Sequence, residues 1–186
     1  MCGRFYVADD DALGEMVRRL SRKLNVEIKT GEICPNDAAA VFVREGSVKL
    51  KALTWGFRMD GGKLLINARS ESAHAKPMFR ELIRANRLIV PASHYFEWDG
   101  ARVRHSLGMP DGIYMAGLFR PGDERFVILT REASDTLRPI HSRMPVIFKK
   151  EAALHWLDPG MDAMGLLERS EVSGVGELNA QTRLQV

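Results

Sequence analysis

Apolar positions recur at helical spacing near the start of the chain and give way to shorter, strand-like runs further on. Between residues 9 and 25, Leu13, Met16, Val17, Leu20 and Leu24 share one face, and Asp9, Asp10 and Asp11 stand where a helix N-terminus favours acids. This predicts an amphipathic helix whose role is packing. From Ala38 onward, residues 39–44, 47–55, 63–68 and 87–91 are rich in Val, Ile, Leu and aromatics and read as strands. Residues 94–98 and 101–107 flank Asp99-Gly100, a two-residue turn signal that suits the twist of a β-hairpin. Strands over 113–119 and 125–131 follow, with their turn at Pro121-Gly122. Helices are expected over 77–86 and 149–157, with a shorter one over 162–169. Many strands with few helical crossovers imply an α+β fold, mostly antiparallel and strand-rich, with a few peripheral helices. No repeat, low-complexity tract or Pro/Gly/Ser linker divides residues 1–186, so one domain is expected.

With 186 residues, 45% of them hydrophobic, the chain can bury a core without disulfides or metal. Its two cysteines, Cys2 and Cys34, lack the repeated Cys or Cys/His pairs of a structural zinc site, so neither metal nor cofactor is expected and a reducing compartment is implied. There is no run of about 18 apolar residues to span a bilayer. The start Met1-Cys2-Gly3-Arg4-Phe5 is not a basic stretch followed by an apolar one, which points to the cytoplasm. A net charge of +3 proves no nucleic-acid partner, but 19 of the 27 basic residues are arginine, whose planar fork suits bidentate phosphate contacts. A GC-rich genome would produce the same bias.

The most unusual feature is the cysteine at position two. Removal of Met1 would leave an amine and a thiol on one residue, a 1,2-aminothiol, which traps aldehydes. An α-amine with a pKa of about 8 is neutral for roughly a third of molecules near pH 7.5, against about one in a thousand for a lysine. Once the amine forms an imine, the thiol can close a five-membered thiazolidine at high effective molarity. Against this stands the plainer reading of Cys2 as a small buried hydrophobe.

Further motifs stand in a fixed order along the chain: Trp55-Gly56, Ile66-Asn67-Ala68-Arg69-Ser70-Glu71, Phe96-Glu97-Trp98, Ile128-Leu129-Thr130 and His141-Ser142-Arg143-Met144-Pro145-Val146-Ile147. Together with the first five residues they resemble the SOS response-associated peptidase (SRAP) family, the abasic-site processing proteins, from residue 1 to about residue 147. That resemblance implies the family's fold, a Cys2 nucleophile exposed by methionine removal, binding of single-stranded DNA, and a thiazolidine link to the abasic-site aldehyde. It also implies a catalytic set of Cys2, Asn67, Glu97 and His141, with the histidine holding DNA phosphate and handling protons at the sugar. The expected partner is single-stranded DNA containing abasic sites, bound by a monomer that is cytoplasmic and nucleoid-associated when on DNA. Two departures stand out. The segment Phe57-Arg58-Met59-Asp60-Gly61-Gly62 after Trp55-Gly56 is shorter than the family's, implying a reduced DNA-facing wedge, and Cys34-Pro35-Asn36 replaces an asparagine followed by alanine and proline.

The residues themselves leave alternatives open. Asn67, after Leu64-Leu65-Ile66, should end a strand and hold the Cys2 amine and the sugar, or simply terminate the strand. Glu97 sits between Phe96 and Trp98, where apolar neighbours would shield a proton-shuttling carboxyl, yet alternation equally allows the solvent face. His141 belongs to a segment whose helical continuation Pro145 disfavours, as in a functional loop, or serves as a surface or capping residue. Arg4, Arg69 and Arg143 each lie within two residues of a proposed catalytic position and would surround the phosphates flanking the lesion. Trp55 would stack on a base or fill the core. Thr130, at a strand end, would bind phosphate or be an ordinary strand threonine. Two other functions compete: a thiol peptidase or hydrolase with Cys2 as nucleophile, for which autocatalytic removal of Met1 is one candidate reaction, and a non-covalent single-stranded DNA-binding module.

Overall fold

The computed structural model describes residues 2–170 and 174–178. Strand β1 (Phe5–Val7) leads into helix α1 (Ala12–Leu24). The helix starts where Asp11, in extended conformation, accepts a hydrogen bond from the Gly14 N–H, and it stops at Asn25, whose left-handed backbone (φ 52°) turns the chain away. Its apolar face covers the core through Val17, which is buried, and Leu13 and Leu20 packed beside it, whereas Met16 and Leu24, expected on the same face, are exposed. Next come β2 (Gly31–Ile33), β3 (Ala38–Glu45), β4 (Ser47–Trp55), β5 (Phe57–Arg58), β6 (Leu64–Leu65) and β7 (Asn67–Arg69), then helices α2 (Ser70–Ala73) and α3 (Pro77–Ala85). The second half contains β8 (Arg87–Trp98), β9 (Arg104–Arg120), β10 (Arg125–Glu132), β11 (Arg143–Pro145) and β12 (Ile147–Phe148), followed by α4 (Lys150–Trp156), α5 (Ala163–Glu168) and β13 (Gly176–Glu177).

Eleven strands form one sheet in the order β12-β9-β10-β4-β3-β8-β1-β2, with β7 and β11 on β10 and β13 on β9. Because β8 also pairs with β9, the strands β9, β10, β4, β3 and β8 close into a ring. Pairing is mostly antiparallel, as expected for this α+β class; β10 runs parallel to β4 and to β7. Both faces of the ring are covered. Along β10, Phe126 and Ile128 enter one apolar cluster together with Cys2, Phe5 and Trp55, while Val127 and Leu129 enter a second with Phe79 and Trp156. Burial on both faces explains why these strands read as continuous apolar runs rather than alternating ones.

Several boundaries differ from those predicted. Residues 87–91 and 94–98 belong to one strand, β8, with a register irregularity between Ala92 and His94, and the expected strands 101–107, from Arg104 onward, and 113–119 likewise merge into β9. The run 63–68 splits at Ile66 into β6, which pairs with β5 in a separate ribbon, and β7, which joins the main sheet. The Asp99-Gly100 signal does not make a two-residue turn. The last pair is Trp98 with Arg104, and the loop between them is held by Asp99 Oδ1, which accepts from the Ala101 and Val103 N–H groups, with Arg102 left-handed at φ 64°. An Asx side chain that organises its own loop replaces the tight turn.

Gly56 links β4 to β5 at φ 104°, and its N–H donates to the Phe126 carbonyl at 2.7 Å. A Cβ there would lie 2.6 Å from Leu64 Cγ. Gly56→Ala is therefore expected to lower stability by about 1–3 kcal/mol through backbone strain, read as a lower thermal midpoint in calorimetry. An unchanged midpoint would show that the link relaxes without strain.

Candidate active site

Residue 2 lies inside the protein. Cys2 is 0% exposed and belongs to the same apolar cluster as Phe5 and Tyr95. Its carbonyl accepts a 2.7 Å hydrogen bond from the side-chain amide of Asn67, the first residue of β7 and itself buried. Asn67 is placed there by two supports. Parallel pairing sets it opposite Ile128 of β10, and the indole Nε1–H of Trp55 donates to the carbonyl of Ile66 at 2.9 Å. Trp55 is wholly buried and packs on Phe5 with ring centroids 5.3 Å apart. This corrects the expectation that it stacks on an exposed base: its faces are occupied by core side chains, and its polar edge positions the segment before Asn67.

Strand β8 supplies the next wall. Tyr95 pairs with Phe5, and the Phe96 N–H donates to the Arg4 carbonyl at 2.9 Å, which fastens the N-terminal segment along the strand. Two residues after Tyr95 and on the same face, Glu97 is buried at 4% exposure, the inward of the two orientations that its spacing allowed. Burial pushes the Cys2 thiol well above its ordinary value and the Glu97 charge raises it further, so the sulfur rests as a thiol near neutral pH. Burial, then Cys2 and Glu97, likewise push the Tyr95 phenol well up. Among the described residues, the buried Asn67 Oδ1 and Tyr95 hydroxyl have no hydrogen-bond partner.

His141 closes the loop between β10 and β11. Leu137, in the Cys2 cluster, and Ile140, packed against it, anchor this loop, and the His141 N–H donates to the Leu137 carbonyl at 3.0 Å. Its Nδ1 lies 2.9 Å from the Arg143 backbone nitrogen, which donates to it, and 3.2 Å from the Arg143 carbonyl oxygen. Beyond it a polar cavity of about 420 Å³ is lined by Arg69, Glu132, Arg138, Ser142 and Arg143. Arg69 is exposed, whereas Arg143 is forked onto Glu71 at 2.7 and 2.9 Å and also donates to the Thr130 carbonyl at 2.7 Å. Thr130 is 1% exposed, and its hydroxyl lies 3.5 Å from the Ala68 carbonyl. Direct phosphate binding by its hydroxyl is thereby corrected: Thr130 is sealed beneath Arg143 and orients it. On the other side, Arg4 pairs with Glu32 at 2.7 Å and lies over the Trp98 ring, 5.5 Å from its centroid.

The structure thus gathers Cys2, Asn67 and Glu97, and sets Arg69 and Arg143 around one cavity. Sequence reasoning missed Tyr95, Glu71, Glu32 and Arg138. Alternation from Glu97 would have found Tyr95, and Glu71 stands inside a motif already singled out; nothing in the sequence marks Glu32 or Arg138. A larger cavity of about 520 Å³, lined by side chains such as Met16, Phe42, Ile113 and Leu154, contains none of the expected site residues. Among the described residues, no cluster of His, Cys, Asp and Glu is arranged to hold a metal, and no helix is long and apolar enough to cross a membrane.

Residues 1–175 match the family described as SOS response associated peptidase (SRAP). The chain belongs to this family. Among SRAP relatives, the abasic site processing protein YoaM of Bacillus subtilis is 28% identical over 182 residues, covering 86% of this chain and 80% of its own. The abasic site processing protein YedK of Escherichia coli is 29% identical over 197 residues, covering 95% and 86%. Of solved structures, a phage-related protein from Bordetella bronchiseptica superposes with a TM-score of 0.74 at 24% identity over 95% of this chain and 93% of its own, and a Bacteroides thetaiotaomicron protein with 0.72 at 21% over 97% and 93%. These two establish the shared fold.

The loop after Glu97 carries a titrating clamp. His105 Nε2 lies 3.2 Å from Asp99 Oδ2 and Nδ1 lies 2.9 Å from Glu177 Oε1, and hydrogen bonding to Asp99, then to Glu177, holds the imidazole above its ordinary value. A raised value in the folded state means that the stabilisation is fully present below the ordinary imidazole range and is lost as pH rises through the folded value. Stability of the wild type should therefore fall across that window by an increment that His105→Gln lacks. Urea unfolding at a series of pH values checks this, and parallel profiles for the two proteins would remove the clamp.

Proposed function

We propose that this SRAP protein processes abasic sites by covalent capture, with processed Cys2 as the aldehyde trap. The observation that carries the reading is the Asn67–Cys2 bond at 2.7 Å, which holds residue 2 by its carbonyl beside the buried carboxyl of Glu97. Once Met1 is removed, the α-amine nitrogen of Cys2 adds to the aldehyde carbon of the ring-opened sugar and water leaves, giving an imine. The sulfur then adds to the same carbon while its proton passes to the nitrogen, and a thiazolidine closes. Glu97 is suited to carry that proton, since it is a buried carboxyl whose charge acts on the thiol. Asn67 Oδ1, an acceptor with no partner among the described residues, is available to an N–H of the freed amine. His141 serves protons and phosphate at the sugar from the opposite loop.

Single-stranded DNA is the substrate form that lets a sugar reach a recessed residue. Its phosphates would meet Arg69 and Arg143 around the polar cavity and Arg4 on the other flank, with sequence-blind contacts. Trp98, 36% exposed beneath Arg4, takes the stacking role expected of Trp55. The names of YoaM and YedK as abasic site processing proteins support this reading. Cytoplasmic location and a monomeric state belong to the same proposal.

The decisive experiment separates the two nucleophiles of residue 2. Processed Cys2→Ala keeps the α-amine and loses the ring closure, so with an abasic single strand it should give little heat-stable adduct alone but a permanent secondary amine when a mild hydride donor is added. Wild type should need no hydride. Equal stable adduct from Cys2→Ala without hydride would sink the thiol's role, and no trapping with hydride would sink the amine's.

Two companion measurements test the surroundings. Glu97→Gln should bind the strand normally and crosslink about 10²-fold more slowly, the usual scale of a lost general acid or base; a wild-type rate across neutral pH would remove Glu97 from proton transfer. Binding should weaken steadily with added salt as phosphate counterions are released, and a salt-independent binding constant would argue against the arginine contacts.

A further inference from the structure

One polar group in the site has no task in the reaction above. The Tyr95 hydroxyl is enclosed by the apolar cluster that contains Cys2, on the same face of β8 as Glu97, and has no hydrogen-bond partner among the described residues. A buried hydroxyl without a partner is costly, and a phenylalanine would fill the same space without that cost. We propose that Tyr95 is a positioning residue for ring closure, whose hydroxyl donates a hydrogen bond to the Cys2 sulfur as its S–H bond breaks. The inference rests on the aldehyde-capture reading and adds a member to its site.

At rest the hydroxyl is not in hydrogen-bonding geometry with the sulfur, and catalytic hydrogen bonds commonly tighten only in the reacting complex. A protonated thiol is a weak acceptor, whereas a sulfur losing its proton becomes a charged and much stronger one. Within a buried apolar cluster the developing negative charge has little to stabilise it, and an enclosed neutral donor is worth most there. Tyr95 suits this role because burial, and then the charge that develops on the Cys2 sulfur and the charge of Glu97, hold it in its protonated, donating form. The steps then divide among three residues: Asn67 holds the backbone of residue 2, Glu97 takes the thiol proton and returns it to the ring nitrogen, and Tyr95 steadies the sulfur while its new bond to carbon forms. No redox partner is needed, because the S–H proton ends on nitrogen and the electron pair of the C=N bond moves to nitrogen as sulfur bonds to carbon.

Tyr95→Phe keeps the ring within the apolar cluster and should fold at least as stably as wild type. With Met1 removal verified by mass, three quantities are measured for both proteins: the rate of hydride-trapped imine formation on an abasic strand, the rate of hydride-independent adduct formation, and the pH profile of Cys2 alkylation by iodoacetamide without DNA. The expected result is an unchanged imine rate, ring closure slowed by about tenfold, the scale of one lost hydrogen bond to a charged acceptor, and an alkylation profile moved to higher pH. Superimposable profiles with equal closure rates would overturn the proposal. Equal slowing of both DNA steps with an unmoved profile would also overturn it, since a packing defect behaves that way. Should wild type form no hydride-independent adduct, the capture reading fails, and the alkylation profile still decides whether Tyr95 serves the sulfur.

Discussion

The hydrogen bond from the Asn67 amide to the Cys2 carbonyl ties the start of the chain to the sheet, and the geometry of the site depends on it. A segment entering an apolar interior brings peptide groups that need partners, and each one left unmet costs about 1–3 kcal/mol. Asn67 meets one of them from a residue whose own position is determined on both sides. The Ile66 carbonyl before it accepts from the Trp55 indole and from the Ile128 N–H at 3.1 Å, and β7 after it runs beside β10. A tryptophan in the core and an asparagine at a strand end thus act together, the first as strut and the second as clasp.

Among the described residues, arginines on both flanks of the site are engaged with charge of the other sign. Glu32 holds Arg4 and Arg104 together, and Glu71 grips Arg143 through both of its oxygens. Such pairs are partly open to solvent and contribute little to folding, but they preset the direction of each guanidinium. An incoming phosphate meets forks already aimed and competes with a carboxylate for them. That competition favours a polyanion that engages several sites at once over a single free anion, and it fits a modest net charge of +3 better than a uniformly basic groove would.

Long-period features of the fold were legible in the sequence. The helix α1, the strands β3, β4 and β10 and the helix α3 follow from spacing because each is long enough for a periodicity to repeat. Strands of two or three residues, such as β1, β2 and β11, carry no such signal, since their pairing is decided by partners distant in sequence. The same limit applies at the site. Ordered motifs pointed to Cys2, Asn67, Glu97 and His141, and the structure draws the first three into one buried cluster. Which way Trp55 and Thr130 face depended on β10, β7 and the neighbouring core, so their burial was invisible in local pattern. Tyr95 was overlooked because an aromatic beside a motif looks like core until its hydroxyl is found without a partner.

Cys2 and Asn67 are 65 residues apart, and Asn67 is itself set by β10, whose last residue is Glu132. During synthesis, therefore, the clasp on residue 2 cannot close until more than two thirds of the chain has emerged from the ribosome. Through that interval the N-terminus remains open to the enzymes and solvent around it, so trimming of Met1 has an uncovered end to act on. Closure afterwards withdraws the thiol into an apolar shell, where small oxidants in the cell reach it poorly. The order in which the strands are made thus schedules the life of this cysteine, accessible while it is being prepared and sheltered while it waits.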